Sequence, residues 1–535
     1  MRPPLPRLFR PFLAGGLLLF AAAAATPTAA GASKILHVNI GVDPQSLDPQ
    51  IMTGVPEFRI SRALNEGLVR MDGNTKIVPA LAQSWEVSAD KRIYTFHLRP
   101  EARWSDGRPV TAQDFVRSYR RLLTPTLGAE YAGRAYPIVG AEDFHRGKIT
   151  DFALTGVKAL DGHTLQIHLR EPATFFLYFL TGSEFSPVPL AVIEKHGNAY
   201  GPGNRWTDEG NYVGNGPFVL KSARNGQKIV VARSPTYWDR ARVPLDEIHF
   251  YPVQNPTDEE RMFRAGQLHI TNTVPNTKIA AYRAKNPAEL RIDPYAGSYF
   301  YIFNVKRAPF DDVRVRRAFA LAIDRETLVA RVTLAGERPA YNLVPPGLLG
   351  YENTAGFRAD VATARQLLAA AGFPGGKGLP PIELLYNTQD NHRAIAEAIQ
   401  QMWRKNLGAE VTLANQEWKV FLDALSKSHA FQIARAGWLT AEPHAHLERW
   451  GTGDASNYAQ WSNPDYDRLL GEAVAAPTDA DRHDRYRQME KILNDEMPVC
   501  PLYFSTLPRL VSTKVRGFRT NLNDSFPWQE VDLAP

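Results

Sequence analysis

The chain is 535 residues long, with a formal net charge of +6, 44% hydrophobic residues and a single cysteine. Arg2, Arg7 and Arg10 supply half of that charge within the first ten residues, so the balance beyond them is too weak and too scattered for a nucleic-acid footprint. One cysteine excludes an intramolecular disulfide framework, and a chain this long outgrows one hydrophobic core, so two or three domains are expected.

The first segment has the pattern of an export signal. After the three arginines come an apolar run from Phe12 to Ala25 and an A-x-A site at Ala30-Gly31-Ala32, as in a cleaved secretory leader. The run is shorter than the ~20 residues a spanning helix needs. There is no arginine pair for a twin-arginine signal and no cysteine beside the cleavage site to carry a lipid. Residues 1–32 are therefore expected to be removed, leaving a soluble periplasmic protein with no lipid anchor.

Beyond the leader, short strands alternate with helical patterns, which gives an α/β class. Ile93–Leu98 alternates Tyr94, Phe96 and Leu98 with Thr95 and His97, as a half-buried strand does. Ser105-Asp106-Gly107 supplies turn chemistry, and Thr111 with Asp114 three residues later forms a capping box for the next helix. Helices are predicted over 111–123, 257–265, 313–323, 358–371, 393–407 and 479–497. Gly372 with Pro374, and Gly408, mark two of their ends. Cys500 lies in a strand-like VCPLYF run and is expected to be a buried small residue. There is no internal repeat and no low-complexity tract.

The segment TFHLR…WSDG…PVTAQDF between Thr95 and Phe115 resembles the signature of the extracytoplasmic binding proteins that deliver peptides to ABC importers. Further matches follow in order: SLDP at Ser46–Pro49, GVPE at Gly54–Glu57, NGPF at Asn215–Phe218 and SPTYWD at Ser234–Asp239. Then come PFDDVRVRRAFALAIDR at Pro309–Arg325, LLYNTQDNHR at Leu384–Arg393, NQEWKVFLD at Asn415–Asp423 and ARAGW at Ala434–Trp438. The wording is most similar to the oligopeptide-binding branch.

That resemblance implies a type II (cluster C) periplasmic-binding-protein fold, with two lobes closing by a hinge and one extra inserted domain. Domain I would comprise 33–66, 195–296 and 511–535; domain II, the insertion, 67–194; and domain III, the second lobe, 297–510. A peptide or peptide-like solute would lie between domains I and III and be handed to an inner-membrane permease driven by cytoplasmic ATPases. No catalysis, cofactor or metal is implied, and a monomer is expected. Gly54 and Val55 match the segment that pairs with the peptide backbone, while Trp418, Gly437 and Trp438 match the domain III wall. Tyr131, Asn272 and Tyr503 match other pocket positions, and Arg435 and His392 match basic positions that meet a peptide carboxylate.

Three departures from that pattern stand out. RAGW is followed by LTAEPHAHLERW, a shortened stretch without the Asp that anchors a peptide's α-ammonium in the family. Either Glu442 takes that role or the ligand lacks a free amino terminus. Thr333 and Leu425 occupy two further positions that are basic in peptide binders. Gly297 and Leu439 together replace a cysteine pair, as partners would.

Other chemistries find little support. His444, His446 and Glu448 raise a metal site, but histidines two apart share a face only on a strand, and a polar loop edge is the plainer reading. Neither a G-x-S-x-G elbow nor an H-E-x-x-H helix is present, so an exported hydrolase has no recognisable nucleophile or metal motif. A metal chelate or a modified or cell-wall peptide remains a possible special ligand of the same fold.

Overall fold

The computed structural model describes residues 33–534 apart from 74, 75, 174, 225 and 441; the expected leader lies outside the described residues. Three sheets organise the rest. The first contains Ile35–Asn39, Glu247–Tyr251, Lys228–Arg233 and Phe218–Arg224 in that order. Ile35–Asn39 runs parallel to Glu247–Tyr251, and the other pairs are antiparallel. Leu36, Val38, Val231, Phe250 and Trp528 form its core, so residues near both ends of the chain share one hydrophobic cluster.

The second sheet is antiparallel: Ala82–Val87, Ile93–Leu98, Thr164–His168 and Val157–Ala159. Ile93–Leu98 has the expected bounds. Tyr94, Phe96 and Leu98 are buried, with Thr95 and His97 only half-buried. Helix Ala112–Leu122 packs Phe115 and Tyr119 into the same core. Its capping box is formed, Asp114 Oδ2 accepting the Thr111 N–H at 2.8 Å. Arg121 of this helix makes a buried 2.6 Å ion pair with Asp48 of the SLDP motif, which fastens this unit to the first.

The third sheet has six strands in the order Arg338–Pro339, Val499–Leu510, Leu290–Phe303, Ile433–Leu439, Ile382–Asn387 and Val411–Gln416. Two of them are long and antiparallel to each other, and their register shifts between Pro294↔Thr506 and Ser298↔Phe504. Such a bulge bends a strand and strengthens its twist. Ile270 bridges both Val38 and Val511, so the far ends of the long strands reach back to the first sheet. The expected 296/297 boundary thus falls at a bulge within a strand, and the 510/511 boundary falls at a strand end.

Helix ends follow local chemistry. The helix expected from Arg358 starts at Val361, because Asp360 accepts the Thr363 N–H at 3.0 Å as its cap. The one expected from Arg393 begins at Asp390 and ends at Gly408, whose φ of 69° is left-handed and favours glycine. Cys500 is fully buried, as expected, and Arg325 donates to its Sγ. Among the described residues no helix is long and apolar enough to cross a membrane.

Candidate functional site

The ARAGW motif lies on Ile433–Leu439, whose seven residues all pair with Gly297–Phe303 on one side. On the other side only Ile433 and Ala434 have partners, Leu384 and Leu385. No described strand covers that edge from Arg435 to Leu439, so a row of backbone donors and acceptors is open to another chain. Gly437 is exposed, as are Trp438 at 38% and Leu439 at 43%. Beside this edge is a cavity of about 210 Å³ with an apolar floor of Phe300, Ile302, Leu425 and Trp450. Arg435, Trp438 and Arg449 line it too, and the Arg449 guanidinium stacks on the Trp438 ring at 3.3 Å.

Arg435 is half-buried and makes no ion pair among the described residues. One Nη donates to Asn387 Oδ1 at 3.2 Å, its Nε is buried without a hydrogen-bond partner, and its Cζ sits 4.8 Å above the Tyr299 ring. Tyr299 stacks on Tyr503 at 4.7 Å, and its hydroxyl lies 3.2 Å from His392 Nδ1. Burial, reinforced by the Arg435 charge, pushes the His392 pKa down to about 3. His392 is thus neutral at working pH, a hydrogen-bonding group rather than the cation its position suggested. Burial pushes Tyr299 up to about 12. The cluster therefore holds one unspent cation beside neutral hydrogen-bonding rings, an arrangement suited to a carboxylate. Tyr299 carries no motif and was not among the sequence candidates; the Tyr299–Tyr301 alternation on a buried strand was its only signal.

The remaining candidates fall in several places. Gly54 caps helix Val55–Leu64, and Val55 opens it. Tyr131 donates from its hydroxyl to Thr53 O at 3.3 Å and lies under the Arg134 guanidinium at 4.3 Å. Val55 and Leu439 line one cavity of about 140 Å³, so this helix start meets the end of the open edge. Asn272 stands elsewhere, its Oδ1 accepting from Arg59 Nη1 at 2.6 Å in a buried charge network. Trp418 begins helix Trp418–Ser426, but its side chain lies outside what is described.

Glu442 is 3% exposed and caps helix Pro443–Leu447, accepting the Ala445 N–H at 2.7 Å. Burial pushes its pKa up to about 7. That helix also decides the histidine pair. Two residues apart on a helix, His446 is fully buried, 2.8 Å from Thr440 O, while His444 stacks on Phe175. Among the described residues no group of three or more His, Cys, Asp or Glu is disposed to hold a metal. Thr333 is buried and bonded to Glu337, and Leu425 floors the side-chain cavity. Gly297 and Leu439 are register partners.

Residues 76–458 match the family model "Bacterial extracellular solute-binding proteins, family 5 Middle". The periplasmic oligopeptide-binding protein OppA of Escherichia coli is 38% identical over 519 residues, covering 95% of this chain and 93% of that one. The unliganded open form of the periplasmic murein tripeptide-binding protein MppA superposes with a TM-score of 0.81 at 35% identity, over 94% of this chain and 98% of that one. Haemophilus influenzae OppA in complex with the peptide RPPGFSPFR gives 0.77 at 32% identity, over 94% and 99%. The expected type II binding-protein fold is borne out, and the chain belongs to the family 5 bacterial extracellular solute-binding proteins.

Proposed function

We propose that this protein is the extracytoplasmic capture component of an ABC importer, binding peptides or peptide-like solutes between its lobes and delivering them to an inner-membrane permease. The observation that carries this reading is the open edge Arg435–Leu439 with the unspent Arg435 guanidinium at one end. A ligand backbone adds to such an edge as a further strand, through hydrogen bonds that ignore side-chain identity. Arg435 takes the ligand carboxylate, with His392, Tyr299 and Tyr503 behind it. A ligand side chain enters the cavity beside Trp438, where water fills whatever space it leaves. At ~3.3 Å per residue the edge spans roughly 13 Å, suiting a ligand of about four residues.

Closure takes place about the bulged long strands, and the closed state is favoured only by contacts that both lobes make with the ligand. The domain division 33–66, 195–296 and 511–535, then 67–194, then 297–510, belongs to this reading. So do export by the leader 1–32, action as a monomer and the absence of chemistry on the ligand.

The test is native mass spectrometry of gently purified mature protein, followed by denaturation and identification of what is released, with calorimetry on the stripped protein. Short peptides or peptide conjugates should be released and should rebind. Release of only non-peptidic solutes, with no heat from any peptide, would overturn the reading.

A further inference from the structure

If the ligand carboxylate lies at Arg435, its amino end lies at Leu439, in the cavity shared with Val55, Phe58, Arg62, Arg134, Glu184 and Tyr295. The acids around this end are mostly committed. Glu184, 1% exposed, accepts at Oε1 a hydrogen bond from Arg134 Nη1 at 2.7 Å. Asp524 divides its oxygens between Arg59 Nε at 2.9 Å and Arg509 Nη2 at 2.6 Å. Glu57 Oε1 accepts the Gln45 N–H at 2.7 Å, and Glu442 caps its helix. Among the described residues that line this cavity, Glu184 Oε2 is an acidic atom buried without a hydrogen-bond partner.

Arg62 differs from its neighbours. It lines this cavity and the adjoining one against Glu66 and Phe526, and makes no hydrogen bond or ion pair among the described residues. The charged side chains that line this cavity are Arg62, Arg134 and Glu184, two cations to one acid. An arriving ammonium meets net positive charge in a desolvated place, which is strongly unfavourable without a dedicated partner. An arriving carboxylate meets an unspent guanidinium, which can bind it through two parallel hydrogen bonds.

We propose that this cavity is an anion-reading subsite in which Arg62 selects peptides whose amino end is acylated by a carboxylate-bearing group. The inference rests on the groove being a peptide site and names the ligand class it prefers. It also accounts for the shortened stretch after Trp438: a ligand without a free α-ammonium needs no Asp there.

The test compares trialanine with a free amine, an N-acetyl and an N-succinyl end by calorimetry on the mature chain and on Arg62→Gln and Arg62→Lys. N-succinyl trialanine should bind at least about tenfold tighter than the acetyl form, a typical gain for a charge-assisted pair. Arg62→Gln should remove that gain, and Arg62→Lys should keep part of it. Unchanged melting curves and circular-dichroism spectra of both variants guard against misfolding as the cause. Tightest binding of the free amine, lost in Glu184→Gln, would assign the end to Glu184 and overturn the proposal alone. Equal binding of the succinyl and acetyl forms would also overturn it alone. Binding of none of the three forms would overturn the peptide reading and this inference together.

Discussion

At the scale of single residues, the unspent Arg435 cation matters most. Its environment is prepared at a cost: the Nε is buried without a partner, and its charge helps keep His392 neutral. Such a group gains most when a carboxylate arrives, because ligand and site are desolvated together. Arg435→Ala is therefore expected to weaken peptide binding roughly ten- to a hundredfold, the span of a charge-assisted hydrogen bond worth about 1.5–3 kcal/mol. Isothermal titration calorimetry with a free peptide and its C-terminal amide checks this. The amide should bind the native protein weakly and the variant about equally well; unchanged affinity in Arg435→Ala would remove Arg435 from the site. Legibility at this scale was uneven. Arg435, His392 and Tyr503 were readable because they sit in or near recognisable wording, and they do come together. Arg62 was not, since nothing in VPEFRISRAL separates it from Arg59, which is bound to Asp524. Whether an arginine is spent depends on groups hundreds of residues away.

At the scale of elements, the open edge depends on one register, which sets Gly297 opposite Leu439. Directly opposed positions on antiparallel strands lie within disulfide reach. A Cβ on Gly297 would stand 2.8 Å from Ser505 Oγ, 3.0 Å from Ser505 Cβ and 3.4 Å from Leu439 Cδ1, so the Ser505 hydroxyl must rotate away and its strand must give slightly. The double variant Gly297→Cys, Leu439→Cys should form a disulfide that leaves Cys500 as the one free thiol after denaturation. The gain should be about 2–4 kcal/mol in the oxidised form, less any strain. Thiol titration and melting with and without reductant check it; two extra free thiols would mean that the strands pair in another register. Element identity was mostly legible where a local rule governs it, as at Thr111 with Asp114 or at Gly408. The helix at Pro443–Leu447 was missed because its signal is short: a Glu cap and a proline at the first position. That miss left the histidine spacing and the role of Glu442 undecided. The 14-residue strand Leu290–Phe303 was not outlined either, since Pro294 and Gly297 interrupt its alternation and its partner Val499–Leu510 is distant in sequence.

At the scale of the whole molecule, one buried carboxylate ties an N-terminal helix and the C-terminal segment to a long strand of the third sheet. Asp524 lies in the C-terminal segment, Arg59 on the helix opening at Val55, and Arg509 near the end of a long strand. All three are almost fully buried. Burial alone would raise the Asp524 pKa, but Arg509 and Arg59 outweigh it and hold the carboxyl below its ordinary range. A carboxyl whose folded pKa lies below its unfolded one stabilises the fold above about pH 4, and that contribution fades as pH falls through the folded value. Asp524→Asn leaves two guanidiniums buried without their counter-charge, a loss of about 3–5 kcal/mol. In a chain of this size that lowers the melting midpoint by only about 3–5 °C, because the unfolding entropy is large. The gap between native and variant midpoints should be constant from pH 5 to 8 and narrow progressively below about pH 4, as the unfolded carboxyl takes up a proton that the folded one still resists. A gap that stays full at pH 3 would show that shape rather than charge makes Asp524 important. Because Arg59 also holds Asn272, and Arg509 belongs to one of the long strands about which closure is proposed, the variant should also alter lobe closure. Small-angle scattering with and without ligand should give a smaller ligand-induced compaction in the variant at pH 7.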